Sequence, residues 1–168
     1  MNFPTESLSA LWAPWRVEYF EHPERSENFL LDAAQATDDA THLVLDRGKY
    51  AFVIMNRYPY ATGHLMVAPY REVGDLGSLG DEEMLEIWRF VARCQSALRE
   101  CVKAQGFNIG INIGAAAGAG VPKHLHIHIV PRWAGDYNFM PVLGHTRIIP
   151  QGLQPLYEML RTEFQKRA

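Results

Sequence analysis

The sequence predicts an α+β fold: an antiparallel meander sheet, one long amphipathic helix and a C-terminal helix. Three observations point there. Short apolar runs of strand length recur between turn signals from His42 to Pro69. A helical apolar period then runs over Met84 to Val102. Period-two alternation returns at Phe107–Ile113 and again at His124–Val130. The 168 residues suit one domain. Its expected parts are an N-terminal arm over 1–27, a core over 42–149 and a closing helical segment over 150–168.

Met1 to Glu27 is irregular and aromatic, with Leu11-Trp12-Ala13-Pro14-Trp15-Arg16 followed by Tyr19-Phe20. So many rings in a short tail predict an arm packed on the core or on a partner subunit. The alternative is that an aromatic residue or Arg16 borders a ligand pocket. Asp32–Thr41 reads as a loop or short helix. His42–Asp46 reads as an edge strand, and Arg47-Gly48-Lys49 as a turn. Tyr50–Met55 and His64–Pro69 read as strands, joined through the turn Tyr58–Gly63.

Asp81 is the expected N-cap of the long helix, with Glu82 and Glu83 suited to its dipole. Gly106 is the expected stop. Met84, Ile87, Trp88, Val91, Cys94, Leu98, Cys101 and Val102 are expected to face inward. Phe107–Ile113 is the next strand. Gly114–Gly120 is a loop of small residues, and His124–Val130 a strand ended by Pro131. Gln154–Gln165 closes the chain as a helix, with Pro155 in its first turn. Leu156, Met159, Leu160 and Phe164 would face inward.

Composition excludes several roles. With 48% hydrophobic and 21% charged residues, the chain is not disordered. A net charge of −3 argues against DNA or RNA as the partner. No apolar run approaches the roughly 18 residues of a membrane span. Met1–Ser9 lacks a basic segment leading into an apolar one, so no secretory signal is expected. Cys94 and Cys101 stand about 10 Å apart along one helix, too far for a disulfide. Free thiols suit a cytoplasmic location.

The chemistry concentrates in Lys123-His124-Leu125-His126-Ile127-His128-Ile129-Val130-Pro131. Strand alternation would set His124, His126 and His128 in a row on one face, with Leu125, Ile127 and Ile129 on the other. Seven histidines in 168 residues would produce such a row by chance about once in a hundred sequences. Three readings compete: a solvated polar face, a three-histidine metal site, and nucleophilic catalysis by one imidazole. Outer histidines about 13 Å apart along a strand converge poorly on one ion. The loop Gly114–Gly120 leads into the row, and its backbone N–H groups suit phosphate oxygens. That pairing of anion donors with a nucleophile points to attack on phosphorus.

His124-Leu125-His126-Ile127-His128-Ile129-Val130 resembles the motif of the histidine triad (HIT) family. Asn56-Arg57-Tyr58-Pro59-Tyr60-Ala61-Thr62-Gly63-His64-Leu65-Met66-Val67 is similar to the family's upstream strand–turn–strand. Leu11–Arg16 and Arg132–Met140 resemble the branch that contains bacterial diadenosine tetraphosphate phosphorylases. The resemblance spans Leu11 to Phe164 and implies a HIT-like fold and a homodimer. It makes His126 the nucleophile toward the α-phosphate and sets His128 near the phosphate and leaving group. His124 and His64 are supporting histidines. Asn56 matches a ribose-binding position and Asn112 a phosphate-side position. Gly118 and Gly120 fall in the phosphate-facing loop.

Two departures stand out. Many bacterial members carry Cys-x-x-Cys after the Trp-Arg segment, as part of a structural zinc site. Here that region reads Ser26-Glu27-Asn28-Phe29-Leu30, so no zinc is expected. His42 is then an ordinary surface histidine. Val121 stands near where phosphoramidase-type members carry serine.

The expected reaction cleaves a small-molecule nucleotide substrate, a dinucleoside polyphosphate, through a covalent nucleotidyl-histidine, with phosphate as the favoured acceptor. A protonated His128 would offset charge on the phosphate. No cofactor is required, and Mg²⁺ enters only as a companion of the polyphosphate. The alternatives are hydrolysis of dinucleoside polyphosphates or phosphoramidates, a nucleotide-binding protein with little turnover, and a metal-dependent enzyme.

Overall fold

Ala51–Met55 (β2) and Leu65–Pro69 (β3) are buried at every position, as expected of strands covered on both faces. They pair antiparallel, from Ala51 opposite Pro69 to Met55 opposite Leu65. The structure, a computed structural model, describes residues 28–136 and 151–166. Expectations for the arm 1–27 and for residues 137–150 lie outside them.

The other strands are β1 (Val44–Arg47), β4 (Gly106–Ile111) and β5 (Ile127–Arg132). All neighbours pair antiparallel in the order β1-β2-β3-β5-β4. The meander therefore holds for the first three strands only. The triad strand β5 is inserted beside β3, and β4 takes the edge.

The helices are α1 (Phe29–Gln35), α2 (Asp39–His42), α3 (Asp81–Val102) and α4 (Leu153–Lys166). One sheet face presents Val53, Leu65, Val67, Ile127 and Ile129 to α3 and α4, whose Ile87, Leu98 and Leu160 complete that core. The other face presents Phe52, Ile54, Met66 and Ala68, packed with Leu30 and Ala33 of α1 and with Val121. Val121 is thus part of the core.

Several boundaries depart from expectation. His42 ends α2 instead of opening a strand, and Leu43 turns the chain with φ 59°. Gly80, not Asp81, is the N-cap of α3, and its N–H donates to Glu83 Oε2 at 2.8 Å. The helix ends at Val102 because Lys103 adopts φ 53° and bonds Leu98 O, while Gly106 opens β4. Trp88 is 53% exposed, against the expectation of a core position. Ile87 beside it is buried, with Phe90, Val91, Cys94, Ala97 and Leu98, and this stripe leaves Trp88 on the outer flank. Cys94 is buried and Cys101 half-buried. Met159 packs at the core edge, and Tyr157 joins Leu156, Leu160 and Phe164 within it.

The triad strand starts later and ends later than expected. Residues 121–124 form a turn, with His124 N–H on Val121 O at 3.1 Å, and β5 begins at Ile127. It runs through Pro131 to Arg132. Pairing with β3 stops at Ile129, so Pro131 has a strand neighbour on one side only.

Candidate active site

The sheet register builds the site. Met66 of β3 faces His128 of β5, and Gly110 of β4 faces His128 from the other side. Alternation puts His128 on the α1 face, while Ile127 and Ile129 enter the α3 core. His64 sits just before β3, at the end of a turn closed by Asn56 N–H on His64 O at 2.9 Å. Gly63 has φ +78°, and a Cβ there would come within 2.8 Å of Leu98 Cδ2, so glycine is required to deliver His64.

Ring geometry links three of the four expected histidines. The rings of His126 and His128 lie 4.8 Å apart, edge to face, and those of His64 and His128 5.1 Å apart. His124 does not stand in the row. It precedes the strand, is fully buried, and turns its ring to Pro69 O at 2.8 Å and Asn28 Nδ2 at 3.1 Å.

Fixed partners determine each tautomer. His124 O accepts only, so His126 Nδ1 at 2.8 Å carries the proton. Neutral His126 therefore keeps its lone pair on Nε2. Pro69 O likewise places the His124 proton on Nε2. His64 Nδ1 accepts from Tyr60 N–H at 3.2 Å and from the Asn56 amide at 3.2 Å. The Asn56 amide is itself oriented, since its Oδ1 accepts from Tyr58 N–H at 2.9 Å. His64 is then protonated on Nε2 and donates to His128 Nδ1 at 2.9 Å. His128 must hold its own proton on Nε2.

Electrostatics agree with neutral rings. Burial, with the charges of His128 and His126, lowers His64 to about 3. Burial, then the charge of His126, lowers His128 to about 4. Burial also lowers His126 and His124, against the hydrogen bonds to His124 O and Pro69 O. The expectation of a protonated His128 is thus corrected. A second proton on its Nδ1 would collide with the His64 N–H, and His64 cannot reverse without opposing two donors. His128 offers a neutral N–H instead.

The remaining expected residues are placed less directly. Asn112 is half-buried and follows Ile111, the partner of Ile127. Ala115–Ala117 forms a 3₁₀ turn. It ties up the N–H groups of Ala117, Gly118 and Ala119, so Gly118 does not present its N–H to a phosphate. Gly118 supplies a left-handed φ of +79°, and Gly120 is exposed. Arg132 is engaged with Asp136 and Asn108.

Two contributors were not expected. Tyr60 lays its ring 4.5 Å from that of His64 and 5.8 Å from that of His128. Asn28 donates to His124 and to Glu72 Oε1 at 2.8 Å. An aromatic residue inside a Tyr-Pro-Tyr turn was a signal for the first. Asn28 carried no local signal beyond its place before a helix.

A zinc tie does not fit the described residues. His124 Nδ1, the nitrogen left open by Pro69, faces an amide N–H, which is a donor. The amide cannot turn, because Asn28 Oδ1 accepts from Leu31 N–H at 3.0 Å. Among the described residues, no three His, Cys, Asp or Glu side chains gather closely enough to hold a metal.

A sheet with one histidine just before β5 paired with another on it, and a supporting histidine before β3, defines a class, and the comparisons agree. The HIT domain model matches residues 37–135, and the chain belongs to that family. Over 167 residues it is 38% identical to a Mycobacterium tuberculosis protein named AP-4-A phosphorylase, covering 95% of this chain and 86% of that one. A Schizosaccharomyces pombe protein named bis(5'-nucleosyl)-tetraphosphatase [asymmetrical] is 35% identical over 56% of this chain and 52% of its own. Among solved structures, a zinc-bound histidine triad family protein from Mycobacterium smegmatis superposes with TM-score 0.66 at 26% identity. That match covers 82% of this chain and 93% of the other.

Proposed function

We propose that this protein is an enzyme that cleaves dinucleoside polyphosphates at the α-phosphate, with phosphorolysis as its favoured course. One observation carries the reading. The tautomer of His126 leaves an unprotonated Nε2 beside His128. The similarity to the M. tuberculosis protein over nearly the whole chain supports the substrate class.

In the scheme, His126 Nε2 forms a bond to the α-phosphorus as the bond to the departing polyphosphate oxygen breaks. The leaving group departs as an anion, so no proton need be supplied. The His128 N–H stabilises charge on the phosphoryl oxygens. Inorganic phosphate then attacks the nucleotidyl-histidine and releases a nucleoside diphosphate; water would release a monophosphate. Asn56 binds the ribose, Asn112 the phosphates, and Gly118 and Gly120 shape the phosphate-side loop. His124 and His64 support the reacting pair. Mg²⁺ arrives only with the polyphosphate. The same reading takes residues 1–168 as one domain, a homodimer and a cytoplasmic protein, and the two unpaired thiols support that location.

The test is incubation with diadenosine tetraphosphate, with and without inorganic phosphate, followed by product identification. Phosphate-dependent ADP supports the reading, and AMP formed regardless of phosphate shifts it to a hydrolase. His126→Ala is expected to lower turnover by more than about a thousandfold. Near-normal activity in that variant removes the nucleophile assignment.

A further inference from the structure

Asn28, the N-cap of α1, reaches the triad from 96 positions away. Asn28 is buried, with both its amide nitrogen and its amide oxygen engaged. Its Oδ1 caps α1 at Leu31 N–H, at 3.0 Å. Its Nδ2 lies 3.1 Å from His124 Nδ1 and 2.8 Å from Glu72 Oε1, one hydrogen for each. His124 is held on its other side by Pro69 O at 2.8 Å. The carbonyl of this same residue accepts the Nδ1 proton of His126 at 2.8 Å. The residue just before α1 therefore supplies an amide, and that amide grips the first histidine directly.

We infer that Asn28 is a positioning residue for the nucleophile: its amide N–H keeps His124 neutral and immobile, and His124 in turn orients His126. This rests on His126 being the nucleophile. The amide cannot be exchanged for a carboxylate of the same shape. Aspartate has no N–H, so at position 28 it would face the His124 Nδ1 lone pair and the Glu72 carboxylate. His124 would take a second proton to bridge them, and a cation would stand beside the group that must attack.

Asn28→Asp tests this, because aspartate caps a helix as well as asparagine does. The expected result is an unchanged circular dichroism spectrum, kcat lower by about tenfold or more, and KM within about threefold. Imidazole ¹⁵N spectra should show His124 unprotonated at Nδ1 in the wild type and protonated there in Asn28→Asp. A wild-type His124 bearing its proton on Nδ1 overturns the inference, as does Asn28→Asp with unchanged kcat. Should Asn28→Asp not fold, Asn28→Ser retains a cap without the amide donor, and the wild-type spectrum still decides. His126→Ala separates the two claims. If it stays active, the nucleophile assignment fails; if it is dead while Asn28→Asp is fully active, only the role of Asn28 fails.

Discussion

Nε2 of His64 lies 2.9 Å from Nδ1 of His128, and His64 is the donor. The direction of that bond comes from outside the pair. Tyr60 N–H and the Asn56 amide occupy the far nitrogen of His64. The backbone of a turn thus sets which nitrogen of His128 carries hydrogen. Asn56, expected at the ribose, also belongs to this relay.

Removing the donor should expose its role. In His64→Leu the side-chain bulk is kept and the N–H is lost. His128 can then take either tautomer, and kcat should fall by about a hundredfold with KM changed less than about threefold. Steady-state kinetics on diadenosine tetraphosphate check this. A variant with the wild-type kcat would show that turnover does not depend on where His128 holds its proton.

Acid should weaken the fold through the same pair. Burial holds His64 at about 3 and His128 at about 4, below the ordinary 6.5. Between these values and 6.5 the unfolded chain binds protons that the folded chain refuses. This contribution to stability is therefore complete above 6.5 and is lost as pH falls through about 4 and about 3. The urea midpoint should drop between about pH 7 and pH 4.5. The drop should be smaller in His64→Leu; an equal slope would mean that this histidine does not refuse protons in the folded state.

The exposure of Trp88 gives a direct comparison on α3. Trp88 is 53% exposed and Leu98 fully buried. Trp88→Ser should change stability by less than about 1 kcal/mol. Leu98→Ala should cost about 2–5 kcal/mol. Urea denaturation of the two variants checks both, and a large loss in Trp88→Ser would place that ring in a packed interface.

Some of this was legible in the residues and some was not, for identifiable reasons. β2 and β3 were plain because a continuous apolar run is what a strand covered on both faces requires. Trp88 misled because steps of three and four admit both Ile87 and Trp88; Phe90 and Ala97 settle the stripe in favour of Ile87. His124 misled because period-two counting was carried back through residues that fold as a turn. The nearness of His126 and His128 followed from alternation alone. The tautomers did not, since they depend on carbonyls and turn N–H groups whose positions only the fold supplies. Asn28 was out of reach because its partner lies 96 positions away.

The edge strand offers the most direct probe of where substrate lies. Gly110 faces His128 across the β4–β5 ladder, and a Cβ built on Gly110 meets nothing within 4 Å. Residues directly opposite each other point to the same face, with Cβ atoms about 5 Å apart. Valine suits an extended backbone better than glycine does, so Gly110→Val should leave stability unchanged or raise it by up to about 1 kcal/mol. Its two methyl groups would nevertheless stand over the sheet beside His128. If the phosphate chain crosses this surface, kcat/KM should fall by at least about tenfold, mostly through KM. Wild-type kinetics in a folded Gly110→Val would place the polyphosphate on the other side of His128, toward Tyr60 and the turn that carries it.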